Sequence, residues 1–304
     1  MHRHRTLDEA GQFMPERSAL DPSEPETTGR SQSLERGLAI LASFSERRPL
    51  MGISDLARAV ELNKSTAHRY VATLTALGYL QQDPASRKYR LGLRVIDLGF
   101  AAVNSMEITK VAAPFLQALS EETGHTANMA VLDGVDIVYV ARCRTVREGR
   151  LGIDLNLHVG SRLPAYCTSM GKVLLAHQPA ERLGRLIDGI DLTRRGPHTV
   201  TTREGLVSAL AQIRRTGLGV NDEELAAGLR SMAVPVRDGF GDVVAAVNLA
   251  VHMSIWGAST EAIARKYEAP LRRAADQISR RLGYTAARPG GPRGADQPPV
   301  DAPA

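Results

Sequence analysis

The chain has 304 residues, 43% of them hydrophobic, 23% charged and 4% aromatic, and this balance predicts two soluble domains with aliphatic cores. The formal net charge is +5, and residues 31–95 account for all of it, because they hold 10 Lys/Arg and 5 Asp/Glu. Two cysteines are too few for a disulfide framework. No apolar run approaches the ~20 residues of a spanning helix, which excludes a membrane-spanning chain.

The two ends of the chain differ from its middle in composition. Residues 1–30 are polar and rich in Pro, Glu and Thr, and residues 285–304 are rich in Pro and Gly. Both are predicted to be disordered tails. The N-terminal segment lacks the apolar run of a signal peptide, and Cys143 and Cys167 form no C-x-x-C pair. The sequence therefore predicts a cytoplasmic protein with no membrane partner.

Three short helices are predicted within residues 31–78 from apolar residues at three- and four-residue spacing. The first runs from Ser33 to Phe44, the second begins near Ser54 as its N-cap, and the third begins after Asn63. Gly78 is predicted to end the third helix, because glycine is common directly after a helix. The predicted buried stripe of this helix consists of Ala67, Tyr70, Val71, Leu74 and Leu77.

A β-hairpin is predicted after the third helix. Apolar residues in 79–82 and 87–91 flank the turn sequence Asp83-Pro84-Ala85-Ser86. The cations of the returning strand then lie at the tip and on the outer face. Three helices followed by a basic hairpin are typical of a winged helix-turn-helix that binds double-stranded DNA. A solvated three-helix bundle with a polar hairpin would give a similar pattern.

The candidate DNA-binding residues lie opposite the buried stripe of the third helix and along the hairpin. Hydroxyl groups near a helix start can donate to phosphate, and arginine reaches phosphate or a guanine edge. The helix N-terminus itself favours an anion. The candidates are Ser54, Lys64, Ser65, Thr66, His68, Arg69, Thr73, Arg87, Lys88 and Arg90.

The rest of the chain alternates helices and strands. A helix from Leu93 to Thr123 is predicted to break near Asn104-Ser105 and to end at Gly124. Strands are predicted at 125–132, 135–142, 150–157, 229–236 and 242–251, with a hairpin at Asp133-Gly134. Helices are predicted at 168–177, 180–187, 202–216 and 260–282. This order indicates an α+β domain around an antiparallel sheet.

Seven stretches closely resemble IclR-type bacterial transcription regulators, in the same order and across both halves. The N-terminal ones are SLERGLAILASF, ISDLARAVELNKSTAHRYVATLTALGYLQQD and SRKYRLGLRVIDLG. The later ones are ETGHTANMAVLDGVDIVYVAR, RLPAYCTSMGKVLLA, NDEELAAGLRSMAVPV and GDVVAAVNLAV. The resemblance covers residues 31–284, and its details are similar to the branch that controls aromatic-acid catabolism through the protocatechuate and β-ketoadipate pathway.

The resemblance implies an α+β fold with a winged helix-turn-helix at 31–92, a linker helix at 93–106 and a GAF-like antiparallel-sheet effector domain at 107–284. It implies a homodimer or dimer of dimers on pseudo-palindromic operator DNA, with half-sites about 10–10.5 bp apart or a multiple of that. A small organic acid would bind the effector domain and act on DNA binding of a catabolic operon through the linker helix. No catalytic residue, metal or cofactor is expected.

Three places resemble the family's effector pocket: the helix entry 168–172, the segment 221–231, and the strand around Asn248. The amides at a helix N-terminus can hold a carboxylate. Arg142 and Arg144, at the end of the predicted strand 135–142, are added to the candidate effector residues because arginine binds carboxylates through paired hydrogen bonds. A solvated strand end would explain these two arginines equally well. The candidates are Arg142, Arg144, Ser169, Met170, Gly171, Asn221, Ser231, Asn248 and Ala250.

Two other functions are compatible with the sequence. A thiol-based redox-sensing regulator would depend on Cys143 or Cys167, and a Cys-dependent enzyme would pair Cys167 with a histidine. The motifs G-x-S-x-G and H-E-x-x-H are absent, which disfavours catalysis. The acidic run Asp222-Glu223-Glu224 is interpreted as a solvated turn and not as a metal cluster.

Overall fold

The computed structural model describes residues 31–45, 47–144, 157–252 and 260–285. The chain divides into two compact units, which we call the first unit (Met1–Ser105) and the second unit (Met106–Ala304). The predicted linker segment 93–106 is largely helical, and its helix belongs to the first unit.

The first unit is a winged helix-turn-helix. Its helices are α1 (Gln32–Ala42), α2 (Ile53–Ala59), α3 (Lys64–Ala76) and α4 (Arg94–Ser105), and the hairpin of β1 (Leu80–Gln82) and β2 (Tyr89–Leu91) lies between α3 and α4. Helix α3 packs on α1, α2 and β1. The small core includes Ile40, Leu56, Val71 and Leu80, none more than 2% exposed. The predicted plan of three helices and a hairpin is confirmed.

Helix boundaries follow local hydrogen bonding. Asn63 caps α3 as predicted, because its Oδ1 accepts from the backbone N–H of Thr66 at 2.8 Å. Gly78 follows the C-cap of α3 with a φ of +79°, also as predicted. The prediction of Ser54 as an N-cap is wrong. Helix α2 begins at Ile53, after the N-cap Gly52, whose N–H donates to Asp55 Oδ2 at 3.2 Å, so Ser54 lies within the first turn.

The buried face of α3 is narrower than predicted. Ala67 and Val71 are fully buried, and Tyr70 and Leu74 pack at the edge of the core. Leu77 was predicted to be buried but is 48% exposed. It is the C-cap of α3, so it lies beyond the last helical turn that faces α1 and α2.

The tip of the hairpin contains a strained residue. Arg87 has a φ of +58°, a left-handed conformation that glycine or asparagine adopts more readily than arginine. Asp83 holds this turn, because its carbonyl accepts from the N–H of Arg87 at 2.9 Å and its Oδ2 accepts from the N–H of Ser86 at 2.8 Å. The turn therefore fixes a cation at the tip in spite of the strain.

The second unit contains a six-stranded sheet and five helices among its described residues. Its strands are β3 (Thr126–Asp133), β4 (Asp136–Cys143), β5 (Arg162–Pro164), β6 (Gly219–Asp222), β7 (Leu229–Arg237) and β8 (Val243–His252). Its helices are α5 (Glu107–Thr123), α6 (Ser169–Ala176), α7 (Ala180–Asp188), α8 (Arg203–Thr216) and α9 (Thr260–Arg281).

The sheet is antiparallel in the order β5-β4-β3-β8-β7-β6, and helices cover both of its faces. One face packs against α5 and α9 around residues such as Met129, Val247 and Leu271. The other packs against α6, α7 and α8 around Met170 and Leu174. The predicted α+β class is confirmed, with two cores on opposite sides of one sheet.

Two edge strands were not predicted. Strand β5 has three residues and β6 has four, too few to display a period of two. The predicted hairpin at Asp133-Gly134 is confirmed, and Gly134 has a φ of +59° there. The predicted strand at 150–157 lies outside the described residues except for Leu157, which is not in a strand.

Candidate nucleic-acid interface and effector cavity

The outer face of α3 carries most of the candidate DNA-binding residues. Lys64, Ser65, His68, Arg69 and Thr73 are exposed, and Thr66 is half-buried. Two of the hydroxyl groups already donate locally: Ser65 Oγ to Asn63 Oδ1 at 2.8 Å, and Thr73 Oγ1 to the carbonyl of Arg69 at 3.0 Å. The cationic side chains of this face, together with the N-terminus of α3, are therefore the groups best able to bind phosphate or a base edge.

The hairpin presents its three cations differently. Arg87 and Lys88 lie in the exposed turn, whereas Arg90 lies on β2 opposite Gln81. The guanidinium of Arg90 donates to Gln81 Oε1 through Nε and Nη2 at 3.2 and 3.0 Å. These bonds hold the Arg90 side chain along the strand, while Arg87 and Lys88 extend the basic surface at the tip.

A cavity in the second unit lies on the face of the sheet that packs against α6. Its empty space, including its open mouth, is about 360 Å³. Five of the nine candidate effector residues line it. Its lining consists of Asn128, Tyr139, Arg142, Leu157, Thr168, Asn221, Leu225, Leu229, Ser231, Asn248 and Ala250.

Three polar side chains form a hydrogen-bonded row across β4, β3 and β8. Arg142 Nη1 donates to Asn128 Oδ1 at 2.8 Å, and Asn128 Nδ2 donates to Asn248 Oδ1 at 2.8 Å. The three residues are direct cross-strand neighbours in the sheet. Asn128 and Asn248 are 1% and 4% exposed, so these bonds satisfy amides that burial would otherwise leave unpaired.

The opposite side of the cavity is built by β6 and β7. Asn221 Oδ1 accepts from the backbone N–H of Glu224 at 2.8 Å, which leaves its amide nitrogen as the group able to donate elsewhere. Ser231 Oγ shares a hydrogen bond of 2.8 Å with Ser169 Oγ of α6. Ser169 therefore contacts a residue of the lining without itself belonging to it.

Three other candidate effector residues do not line the cavity. Met170 is fully buried in the core between the sheet and α6. A side chain at Gly171 would collide with Ala165, because a Cβ at Gly171 would lie 2.3 Å from the Cα and from the carbonyl oxygen of Ala165. Arg144 is exposed and lies beyond the end of β4. The helix entry is thus packed against residue 165, and Thr168 caps it by accepting from the N–H of Gly171 at 3.2 Å.

A buried ion pair lies next to the cavity wall. Lys172 Nζ of α6 contacts Glu224 Oε1, and the two side chains are 5% and 8% exposed. Burial raises the pKa of Glu224, and the charge of Lys172 opposes that rise. The carbonyl of Glu224 also accepts from Thr199 Oγ1 at 2.6 Å. Glu224 thus connects α6, the segment around residue 199 and the cavity residue Asn221.

The interpretation of residues 222–224 as a solvated acidic turn is wrong. Glu224 is buried against Lys172, and Asp222 and Glu223 lie 2.5 and 3.7 Å from the guanidinium of Arg230. His198, Asp222 and Glu223 present ligand atoms within 4.8 Å of one another, but both carboxylates already have the guanidinium of Arg230 as a cationic partner.

Both cysteines lie in environments that suppress the thiolate. Burial raises the pKa of Cys167 to about 12, and it also raises the pKa of the half-buried Cys143. The thiolate is the reactive form of cysteine in catalysis and in redox sensing. These environments therefore favour neither the enzyme nor the redox sensor.

Sequence reasoning missed Asn128 and Tyr139 as lining residues, and it did not predict that Lys172 and Glu224 form an ion pair. One signal was available for Asn128, which interrupts an apolar run in β3 just as Asn248 does in β8. Within the part of the chain that the structure describes, no helix combines the length and hydropathy needed to cross a membrane.

Comparisons with known proteins cover both units. Residues 33–84 match the IclR helix-turn-helix domain, and residues 100–280 match the C-terminal domain of bacterial IclR transcriptional regulators. The regulator XynR of Escherichia coli is 36% identical over 84% of this chain and 98% of its own. The Pca regulon regulatory protein of Pseudomonas putida is 41% identical over 73% of this chain and 74% of its own.

One solved structure bears on the cavity. An IclR homologue from Microbacterium hydrocarbonoxydans, crystallised with 4-hydroxybenzoate, has a TM-score of 0.71 and 28% identity, and the match covers 82% of this chain and 98% of that chain.

Proposed function

Since the chain belongs to the IclR family of bacterial transcriptional regulators and is a ligand-responsive DNA-binding regulator of that family, we propose that it controls a catabolic operon in response to a small organic acid. The acid binds the cavity of the second unit, and the outer face of α3 and the hairpin bind the operator. An effector changes operator affinity only through its different affinities for DNA-competent and DNA-incompetent states. Coupling of about 1–3 kcal/mol is typical and corresponds to roughly 5- to 150-fold.

The observation that carries the proposal is the polarity of the cavity. Among the described residues, its lining contains the Arg142 guanidinium, three amides and three hydroxyl groups, and no carboxylate. A cation next to hydrogen-bond donors complements an organic anion. The remaining walls, formed by leucines and by Tyr139, suit a hydrocarbon or aromatic body. The names of two similar proteins, a Pca regulon regulator and a homologue crystallised with 4-hydroxybenzoate, support an aromatic acid.

The proposal includes a homodimer or a dimer of dimers on a pseudo-palindromic operator. Exposed apolar side chains one helical turn apart on α1, and again at the start of α4 and along it, support a second copy of the chain as the partner, because exposed apolar surface of this kind marks interaction sites. They are between 51% and 79% exposed, and they are Leu34, Leu38, Leu93, Ile96, Leu98 and Phe100.

Replacement of Arg69 by alanine is expected to weaken operator binding by about 1–3 kcal/mol, or roughly 5- to 150-fold, and to relax preference at one position of each half-site. Lys88→Ala is expected to weaken all DNA sequences alike and to lower the slope of log K against log salt by about one. Both follow from the exposed positions of these cations on α3 and at the hairpin tip. Fluorescence anisotropy at two salt concentrations, on DNA upstream of its own gene or on sequences selected from a random pool, measures both effects.

Arg185→Ala is the matched control, because Arg185 is an exposed arginine on α7 in the other unit. It should change neither affinity nor the salt slope. Equal loss of specific and random DNA binding in Arg69→Ala would remove its base-reading role. An unchanged salt slope in Lys88→Ala would remove its phosphate contact.

Arg142→Met is expected to reduce affinity for the acid effector by about 10- to 150-fold, because a hydrogen bond to a charged group contributes about 1.5–3 kcal/mol. The measurement is the acid-dependent shift in operator anisotropy, with protocatechuate, 4-hydroxybenzoate, β-ketoadipate, pyruvate and glyoxylate as probes. Arg144→Met, which alters an exposed arginine outside the lining, should leave the response unchanged. An unaltered acid response in Arg142→Met would contradict the proposed role of Arg142 as a partner of the acid.

A further inference from the structure

We infer that Asn128 is a positioning residue: it orients the amide of Asn248 so that the effector cavity presents N–H donors to its ligand. The cavity therefore binds acids more tightly than their neutral amides. The inference rests on the proposed function, because it assumes that the cavity holds the effector. Asn128 is 1% exposed and lies on β3, between β4 and β8 in the middle of the sheet.

The chemistry of the row fixes the direction of each amide. A guanidinium has only N–H donors, so the atom of Asn128 that faces Arg142 is its oxygen, at 2.8 Å. The amide nitrogen of Asn128 must then point the other way, toward Asn248, where it donates to Oδ1 at 2.8 Å. With its oxygen occupied, Asn248 has its amide nitrogen left for other contacts, and this residue lines the cavity. The orientation of Asn248 is therefore set from Arg142 through Asn128.

The wall formed by β6 and β7 also presents an N–H donor to the cavity, through a different hydrogen bond. The oxygen of Asn221 accepts from the backbone N–H of Glu224, and its amide nitrogen is the group left for the cavity. Arg142, Asn221 and Asn248 thus offer N–H donors from opposite sides. A carboxylate ligand has only acceptor oxygens, so it can accept from these donors. A primary amide has one oxygen and one NH2 group, and its NH2 group would face an N–H donor of the cavity.

The variant Asn128→Asp reverses this direction without changing side-chain size. Its carboxylate can accept from Arg142 with one oxygen and can only accept with the other. The amide of Asn248 must then rotate to donate to it, which turns the oxygen of Asn248 toward the cavity. Affinity for the acid should fall at least about tenfold, and the ratio of acid to amide affinity should fall by a similar factor or more.

The test is isothermal titration of the full-length protein with matched pairs of an acid and its primary amide: 4-hydroxybenzoate, protocatechuate, benzoate and pyruvate against their amides. The control Gln212→Glu makes the same amide-to-carboxylate change beside an arginine, Arg215, on the exposed face of α8, and should leave every ratio unchanged. Thermal melting followed by circular dichroism checks that each variant is folded.

The outcomes separate the inference from the proposed function. If the wild type binds none of the acids, the proposed effector class fails and the inference falls with it. If the wild type prefers an acid and Asn128→Asp keeps the same preference, the inference alone is overturned. If Asn128→Asp does not fold, Asn248→Asp decides, since it puts an acceptor-only group at the cavity and should lower the ratio of acid to amide affinity by a similar factor. A retained preference there overturns the inference as well.

Discussion

Lys172→Met is expected to lower the free energy of unfolding of the second unit by about 3–5 kcal/mol, the usual result of removing one partner of a buried ion pair. The large effect comes from the residue that stays behind. Glu224 would remain buried without a cation, and one of its carboxylate oxygens, Oε2, already has no hydrogen-bond partner among the described residues. Methionine fills the space of the lysine stem, so the loss of stability comes from the missing charge and not from a cavity.

The effect should depend on pH, with a sign set by Glu224. Burial raises the pKa of this carboxyl, so the folded state holds its proton more tightly than the unfolded state. Stability therefore falls as pH rises from the ordinary glutamate value of about 4.3 through the higher folded value. Without Lys172 the folded pKa rises further, so the deficit of the variant should be small near about pH 4 and should grow as the pH rises above that value.

Amide hydrogen exchange in β3 and β8 measures the stability of this unit separately from the first. Arg203→Met is the matched control, because Arg203 pairs with Asp188 where the two side chains are 50% and 67% exposed. It should cost no more than about 1 kcal/mol. The double change Lys172→Met with Glu224→Leu should recover most of the loss. A deficit no larger than that of Arg203→Met would show that the buried pair contributes little.

Gly171→Ala should destabilise the second unit by about 3 kcal/mol, at the upper end of overpacking costs. The added Cβ would lie 2.3 Å from the Cα and the carbonyl oxygen of Ala165 and 2.5 Å from Thr168 Oγ1. Two of these atoms are backbone and cannot rotate away, so the entry of α6 must move. Because Ser169 and Lys172 are on the same helix, the movement should also disturb the wall of the cavity.

Gly184→Ala is the control, since it makes the same substitution within α7 where nothing lies within 4 Å of the new Cβ. It should stabilise the helix by up to about 1 kcal/mol, the usual advantage of alanine over glycine in a helix. Urea unfolding followed by circular dichroism should therefore shift in opposite directions for the two variants. A shift in the same direction would mean that the contact with Ala165 relaxes freely.

Much of the fold could be predicted because its signals are local. Asn63 and Gly78 bound α3 through bonds and backbone angles that depend on adjacent residues, and the hairpin at Asp133-Gly134 is equally local. The N-cap of α2 was misplaced because serine is a common N-cap, whereas the actual N-cap is a glycine whose N–H donates to the side chain of Asp55.

The cavity could be predicted only in part because its residues come from distant positions. The bond between Asn128 and Asn248 joins residues 120 positions apart, and the sequence alone does not indicate that they are partners. Gly171 was interpreted as a ligand contact, since it lies in a helix entry that resembles the family's effector pocket and whose amides can hold a carboxylate. Its actual neighbour is Ala165, in a turn that packs across the helix entry.

The left-handed conformation of Arg87 has a consequence for how this chain can change over evolutionary time. Glycine would adopt that conformation without strain, so fold stability alone would favour replacement of Arg87 by glycine at the hairpin tip. Under the proposed contact of the hairpin with DNA, the same substitution removes a cation that binding requires. Under that contact, position 87 has two opposed requirements: glycine would favour fold stability, whereas arginine favours operator affinity.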